Sequence, residues 1–202
     1  MFSAPMDSPI KITGELTPDP AQCQFHVEQP VLEDWTVSFN QPEDSQGSAL
    51  ADFLFEVEGV VRVTVSGSTI TVTKHTPEPW QQFAPAIGKA IRAAFASGRP
   101  LVADAVVDAL KSQPLDDLEG IIADLFEDQI NPALASHGGF VRLVKMDGRD
   151  VHVEMGGGCQ GCASSKATLK LGIESAIRRV APQVRHIVDA TDHTAGVNPY
   201  YK

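Results

Sequence analysis

Hydrophobic and polar residues alternate along short segments of the first half of the chain, which is the pattern of half-buried β-strands. The alternating segments are residues 10–16, 23–28, 35–39, 60–65 and 69–73. The last two are rich in β-branched residues and flank Ser66-Gly67-Ser68, so they predict a hairpin. The first half is therefore expected to contain an antiparallel sheet.

Two other segments of this half place apolar residues at helical spacing. In residues 49–57 they recur every three or four positions, and in residues 79–96 they recur every fourth position. Gly59 and Gly98 follow these segments and predict the helix ends, with Pro100 just beyond the second. Strands and helices together predict an α+β domain over residues 10–97.

The second half predicts a smaller domain with its own order of elements. An apolar run at 101–110 lies within residues 98–114, which are interpreted as an interdomain linker that could hold a short helix. The elements predicted after it are a helix from 115 kinked at Pro132, strands at 140–146 and 151–155, a helix at 163–180 and a strand at 184–188. This α-β-β-α-β order predicts a small sheet with both helices on one face. The fold class is thus α+β with two small domains, the second over residues 115–189.

The net charge of the chain argues against two classes of binding partner. The chain has 202 residues with 16 basic and 26 acidic side chains, a net charge of -10. Nucleic acids and anionic membranes both select basic surfaces, so we expect neither as a partner. The sequence contains no run of about 18 apolar residues, so no membrane-spanning helix is predicted. Because Met1 to Ile10 show no targeting pattern, the sequence predicts a cytoplasmic, bacterial-type protein.

The cysteines indicate metal or redox chemistry in place of disulfides. The chain has three, Cys23, Cys159 and Cys162, and an odd low count is a poor disulfide framework. In a reducing compartment a close Cys pair is more typical of metal or redox chemistry. Cys23 lies in an alternating segment, so we interpret it as an ordinary strand residue.

Cys159 and Cys162 are spaced so that both sulfurs can bind one metal centre. Three glycines, 156–158, precede Cys159 and let the backbone approach a ligand closely. A predicted helix begins after Cys162, and its N-terminus favours thiolate over thiol. Iron–sulfur clusters and closed zinc sites usually take four thiolates, so a symmetric dimer with two cysteines from each copy is the economical site. Lys166 and Lys170, one turn apart, would offset part of a cluster's negative charge.

Three other interpretations of the pair stay open at this point. It could be an inert buried pair, although the glycine loop then has no purpose. It could be a thiol–disulfide oxidoreductase motif, which also follows a strand and opens a helix, although the parallel βαβ context is missing. It could be a zinc site that clamps a homodimer. No catalytic triad, phosphate loop or carboxylate pair stands out. A cluster shared across a weak interface is exposed and suited to being handed on, so we expect a carrier and not an enzyme.

Residues 130–188 strongly resemble the C-terminal domain of NifU, known as the Nfu domain. The matching motifs are Asn131-Pro132-Ala133-Leu134, His137-Gly138-Gly139, Asp147-Gly148, Gly158-Cys159-Gln160-Gly161-Cys162 and the run at 164–174. The first domain resembles the N-terminal domain of mitochondrial-type Nfu proteins. The motifs that carry this second resemblance lie at residues 50–60, 70–74 and 95–101.

The resemblance implies a carrier that binds a [4Fe–4S] cluster between two protomers of a homodimer and delivers it to apo-proteins. The ligand cysteines of the family map onto Cys159 and Cys162, and the cluster is built here or received from an upstream scaffold. The N-terminal domain is expected to recognise or position partners. Two departures are visible: Phe140 stands where family members usually carry an acidic residue, and Pro18-Asp19-Pro20 replaces an Asn-Pro-Asn type turn. His137 is interpreted as a helix C-terminal histidine.

Overall fold

The computed structural model describes residues 10–136, 138–157 and 163–191. The chain divides into two compact units between Ala109 and Leu110, within the segment predicted to be the linker. Both units combine helices with a sheet, which confirms the prediction of an α+β fold in two small domains.

The first unit is a five-stranded antiparallel sheet with helices packed on it. Its elements are β1 (Ile12–Leu16), β2 (Gln22–Val27), β3 (Leu32–Phe39), α1 (Ala49–Phe55), β4 (Val60–Gly67), β5 (Thr69–Lys74) and α2 (Trp80–Ala96). The strand order is β1-β2-β5-β4-β3, and the predicted hairpin is the β4–β5 pair, with Ser66 opposite Thr69. In β2 and β5 every second side chain is buried, as expected for strands with one face on the core. Phe39 and Ile70 of the sheet and Leu54 and Ile91 of the helices are fully buried.

The segment predicted to be the linker contains a helix, α3 (Asp104–Ser112). The residues before α3 bond to the start of α1, because Ala49 N–H donates to the Pro100 carbonyl and Ala103 N–H donates to Ser48 Oγ. The residues at the end of α3 bond within the second unit, where the Arg149 guanidinium donates to the carbonyls of Lys111 and Gln113. Each end of the segment is therefore tied to its own unit.

The second unit follows the predicted order, with one addition before the first strand. Its elements are α4 (Leu118–Leu125), a π-helical stretch (Phe126–Ile130), α5 (Asn131–Ala135), β6 (Gly139–Asp147), β7 (Asp150–Gly157), α6 (Ala163–Val180) and β8 (Ile187–Asp189). The first predicted helix is thus interrupted before Pro132, where the Asn131 N–H bonds to the Phe126 carbonyl five residues back.

The sheet of the second unit has the order β6-β7-β8, with β6 and β7 antiparallel and β7 and β8 parallel. Apolar side chains from α4, α6 and the strands form its core, including Ile122, Val151 and Ile177, and Val184 adds to it from the loop after α6. The last strand was predicted at 184–188 and is observed at Ile187–Asp189. Among the described helices, none is long and apolar enough to cross a membrane.

Candidate metal centre

The predicted ligands Cys159 and Cys162 lie outside the residues that the structure describes, as do His137 and the side chains of Lys166 and Lys170. The structure describes the residues on either side of their loop. Strand β7 ends at Gly157 and helix α6 begins at Ala163, the residue after Cys162 in sequence. We call the paired ends of β6 and β7, residues 138–141 and 155–157, the loop stem.

Gly157, the last described residue before the loop, is at a position that only glycine fits. Its φ is +68°, and a Cβ built on it would lie 2.0 Å from the carbonyl oxygen of Gly138. L-residues rarely adopt this backbone conformation, and no side chain can occupy the space of a carbonyl group. The chain therefore enters the loop in tight contact with the Gly138-Gly139 turn.

Gly156 is covered from the outer face of the sheet by an aromatic ring. Phe140 lies directly opposite it in the β6–β7 register, and a Cβ on Gly156 would lie 2.2 Å from Phe140 Cζ. The ring is 43% exposed, so it packs on glycine backbone and also faces solvent. Phe140 is the position where the sequence departs from the acidic residue usual in the resembled family, and the structure places this departure on the loop stem.

Side-chain hydrogen bonds hold both outer edges of the stem. The Asn131 amide accepts a hydrogen bond from Val141 N–H at 2.8 Å through Oδ1 and donates one to the Val141 carbonyl at 3.0 Å through Nδ2. On the other side, Met155 N–H donates to Thr191 Oγ1 at 2.9 Å in a buried contact. The motif that contains Asn131 was recognised in the sequence, but neither residue was assigned a role, and Thr191 lies in the segment interpreted as a polar tail.

Charged groups on these strands are paired across the sheet. Arg142 donates to Glu154 Oε2 from Nε at 2.9 Å, two residues from Phe140. Near the hairpin turn, Arg185 donates two hydrogen bonds to the Asp150 carboxylate, from Nε to Oδ1 at 2.9 Å and from Nη2 to Oδ2 at 2.7 Å. The hydrogen bond from Arg185 lowers the pKa of Asp150 below its ordinary value, and the positive charge of Arg185 adds to this effect.

Cys23 is a buried strand residue of the first unit. It is 3% exposed, and its Sγ donates to the Glu15 carbonyl at 3.2 Å. Burial raises the pKa of this thiol, which favours the protonated form over the thiolate that binds metals. Among the described residues, no group of three or more His, Cys, Asp or Glu side chains is arranged to hold a metal ion.

Comparison with known proteins gives two family matches in sequence order. Residues 12–98 match the model described as scaffold protein Nfu/NifU N terminal. Residues 122–188 match the model of the NifU-like domain, which includes the whole Cys159–Cys162 loop. Each match falls in one of the two structural units.

Individual relatives agree with these matches. NifU-like protein 4, mitochondrial, of Arabidopsis thaliana is 33% identical over 90% of this chain and 66% of its own length. The human NFU1 iron-sulfur cluster scaffold homolog, mitochondrial, is 34% identical over 87% of this chain and 70% of its own length. The Fe/S biogenesis protein NfuA of Ruthia magnifica is 44% identical over 44% of this chain and 47% of its own length. The chain thus spans about two thirds of the first two relatives and about half of the third.

These relatives correct one expectation. The prediction of a cytoplasmic, bacterial-type protein is wrong on this comparison, because the plant and human relatives that match most of the chain are named as mitochondrial proteins. The prediction depended on the composition of the first ten residues, and such a short segment is a poor guide to the compartment in which a protein works.

Proposed function

The chain belongs to the Nfu family of NifU-like proteins, and we propose that it carries an iron–sulfur cluster on Cys159 and Cys162 and transfers it to apo-proteins. Its relatives are named as iron–sulfur cluster scaffold and biogenesis proteins, which supports this class of function over an enzyme. The observation that carries the proposal is the loop stem, where two glycine positions without room for a side chain lead into the Cys pair.

The glycines of the stem fix how the backbone enters the Cys loop. A Cβ at Gly157 would overlap the Gly138 carbonyl, and a Cβ at Gly156 would overlap the Phe140 ring. Backbone without side chains can approach sulfur ligands closely. Helix α6 begins directly after Cys162, so the partial positive charge of its N-terminus favours the thiolate form of this ligand. An inert buried Cys pair would need neither feature.

The number of thiolate ligands supports a site shared between two copies of the chain. Both common cluster types take four thiolates, and one chain offers two at this loop. Cys23 does not add a third, because it is buried and hydrogen-bonded in the first unit. We therefore propose a cluster held between two copies of the chain, each of which contributes Cys159 and Cys162. The ligand count is the same for both cluster types, and the resemblance to the Nfu domain favours [4Fe–4S].

Transfer from such a site requires only ligand exchange. Each acceptor thiol that binds iron gives up its proton, and the carrier thiolate that it displaces takes one up. Iron and sulfide keep their oxidation states in this exchange, so no oxidant or reductant is consumed. The proposed partners are apo iron–sulfur proteins and an upstream scaffold, with the first unit as the part that recognises them.

The test is anaerobic reconstitution with iron and sulfide, followed by visible absorption, metal and sulfide analysis, and mass in solution. We expect a brown dimer with about four irons and four sulfides, absent in C159S and in C162S. C23A is the matched control, because it removes the remaining cysteine without touching the loop, and it should keep full colour.

Two results would contradict the cluster proposal. A colourless monomer that cycles between dithiol and disulfide would identify a thiol oxidoreductase. A colourless dimer with one zinc per two chains would identify a structural zinc clamp. The role of the first unit is tested separately, because removal of residues 1–97 should slow delivery to at least one acceptor and leave cluster binding intact.

A further inference from the structure

We propose that Asn131 and Thr191 are positioning residues that hold the loop stem from its two open edges. The consequence for the cluster rests on the proposed function, whereas the mechanical role can be tested on the chain alone. The geometry consists of one continuous row across the sheet, from Asn131 through Val141 and Met155 to Thr191, which we call the stem brace.

The first half of the brace lies at the edge strand. Strand β6 is the outermost strand in the order β6-β7-β8, and along such a strand every second residue turns its N–H and C=O away from the sheet. Val141 is one of these residues, since both of its main-chain groups bond to Asn131. The Asn131 amide bonds to both groups and thereby acts as a short substitute for a neighbouring strand. The π-helical stretch Phe126–Ile130 immediately precedes Asn131, and such an inserted residue rotates the side chains that follow it.

The second half lies on the opposite side of β7. Strand β8 pairs with β7 from Val151 to Val153. Two residues further along β7, the hydroxyl of Thr191 accepts a hydrogen bond from the buried N–H of Met155. The position of Thr191 is fixed in turn, because its own N–H donates to Asp189 Oδ1 at 2.9 Å and Ala190 N–H donates to the Val153 carbonyl at 2.8 Å.

The two halves meet at one pair of residues. Val141 and Met155 lie opposite each other in the β6–β7 register, two residues before Gly157. Both are buried, at 1% and 7% exposure, so a main-chain group that lost its partner here would have little access to water. The brace therefore acts on a buried residue pair close to the point where the loop begins.

A brace at this point controls how often the stem opens. Strand ends open locally more easily than strand centres, and each opening would separate the Gly138–Gly157 contact and release the loop. A net contribution of about 1 kcal/mol for one hydrogen bond corresponds to roughly a fivefold change in the fraction of time that the stem is open. The brace should thus lengthen the time that a cluster stays bound, without itself contacting it.

The experiment compares variants of the full chain. T191V has nearly the same shape as the native residue and removes the hydroxyl acceptor, whereas T191S keeps it. N131D keeps the acceptor for Val141 N–H and removes the donor to the Val141 carbonyl. D150N is the matched control, because it breaks an ion pair on the same hairpin at the end remote from the loop.

The first measurement is hydrogen exchange of the cluster-free chain, followed by mass spectrometry of peptides that cover residues 138–162. We expect about fivefold faster exchange of stem amides in T191V and N131D. T191S should match the native rate, and D150N should raise exchange near the hairpin turn alone. Native exchange at the stem in both T191V and N131D, or a T191S rate equal to that of T191V, would overturn the proposal.

The second measurement is the loss of colour of the reconstituted chain in the presence of an iron chelator. T191V and N131D should lose the cluster several times faster than the native chain, and T191S and D150N should not. Faster exchange with an unchanged cluster lifetime would overturn the positioning role. A native chain that takes up no cluster would refute the proposed function, and the exchange measurement would still decide whether the brace exists.

Discussion

Replacement of Gly157 by alanine tests the idea that the loop stem requires glycine, and Gly148 provides a matched control. Both glycines lie on the β6–β7 hairpin with positive φ, at +68° and +59°. A Cβ at Gly148 would meet nothing within 4 Å, whereas at Gly157 it would lie 2.0 Å from the Gly138 carbonyl oxygen. The two substitutions therefore share the backbone strain and differ in the steric clash.

The magnitudes follow from these two terms. An alanine with left-handed backbone costs about 1–2 kcal/mol, and this is the whole effect expected for G148A. In G157A the strands must separate by more than 1 Å to reach ordinary contact, which adds about 1–3 kcal/mol by analogy with overpacked cores. G157A should consequently be the less stable of the two, with a urea midpoint lower by about 1 M.

The assay can distinguish the two units because of where the tryptophans lie. Trp35 and Trp80, the two tryptophans of the chain, both belong to the first unit. Circular dichroism at 222 nm reports helices of both units, whereas tryptophan fluorescence reports the first. We expect G157A to shift the dichroism curve and leave the fluorescence curve in place. Equal dichroism midpoints for G157A and G148A would refute the argument that Gly157 is required by contact with Gly138.

Three further predictions follow from contacts in the described residues. G156A should destabilise the second unit by about 1–3 kcal/mol, because the added methyl group would clash with the tip of the Phe140 ring. F140A should relieve part of this loss in the double variant, and a double-mutant cycle on the dichroism midpoints that shows no coupling would contradict the prediction. The Asp150–Arg185 pair should stabilise the chain at pH values above the unfolded carboxyl pKa of about 3.9, and this stabilisation should be lost as pH falls through the lower folded pKa. D150N should therefore differ from the native chain by less than ~1 kcal/mol at neutral pH, because the pair is partly exposed. In urea titrations at acid pH this difference should vanish. Cys23 should resist alkylation by iodoacetamide at neutral pH in the folded chain, because burial raises the pKa of its thiol; peptide mass analysis that finds it modified at the rate of a free thiol would show that the strand pair opens.

Local pattern was sufficient to predict most elements of the fold. Helix α6 begins and ends at the predicted residues 163 and 180, because its apolar residues recur at helical spacing and Pro182 follows. The β4–β5 hairpin was predicted equally well, since β-branched runs and a glycine turn are both local signals. The helix in the predicted linker was anticipated from an apolar run.

Features that depend on distant main-chain groups were not predicted. The π-helical stretch at Phe126–Ile130 has no sequence period of its own and becomes visible only when Asn131 is seen to reach Val141. Thr191 looks like a tail residue, because its partner, the N–H of Met155, lies 36 positions earlier. An Asn directly before Pro132 was the one available signal for the first of these contacts. The assignment of Cys159 and Cys162 as ligands stays a prediction.

The position of Asn131 directly before Pro132 also bears on the chemical ageing of the protein. Asparagine usually deamidates when the backbone nitrogen of the following residue loses its hydrogen and attacks the side-chain carbonyl to form a cyclic imide. Proline has no hydrogen on that nitrogen, so this route is closed at residue 131. The side chain that donates to the Val141 carbonyl is therefore protected from slow conversion to aspartate, the change that N131D introduces deliberately.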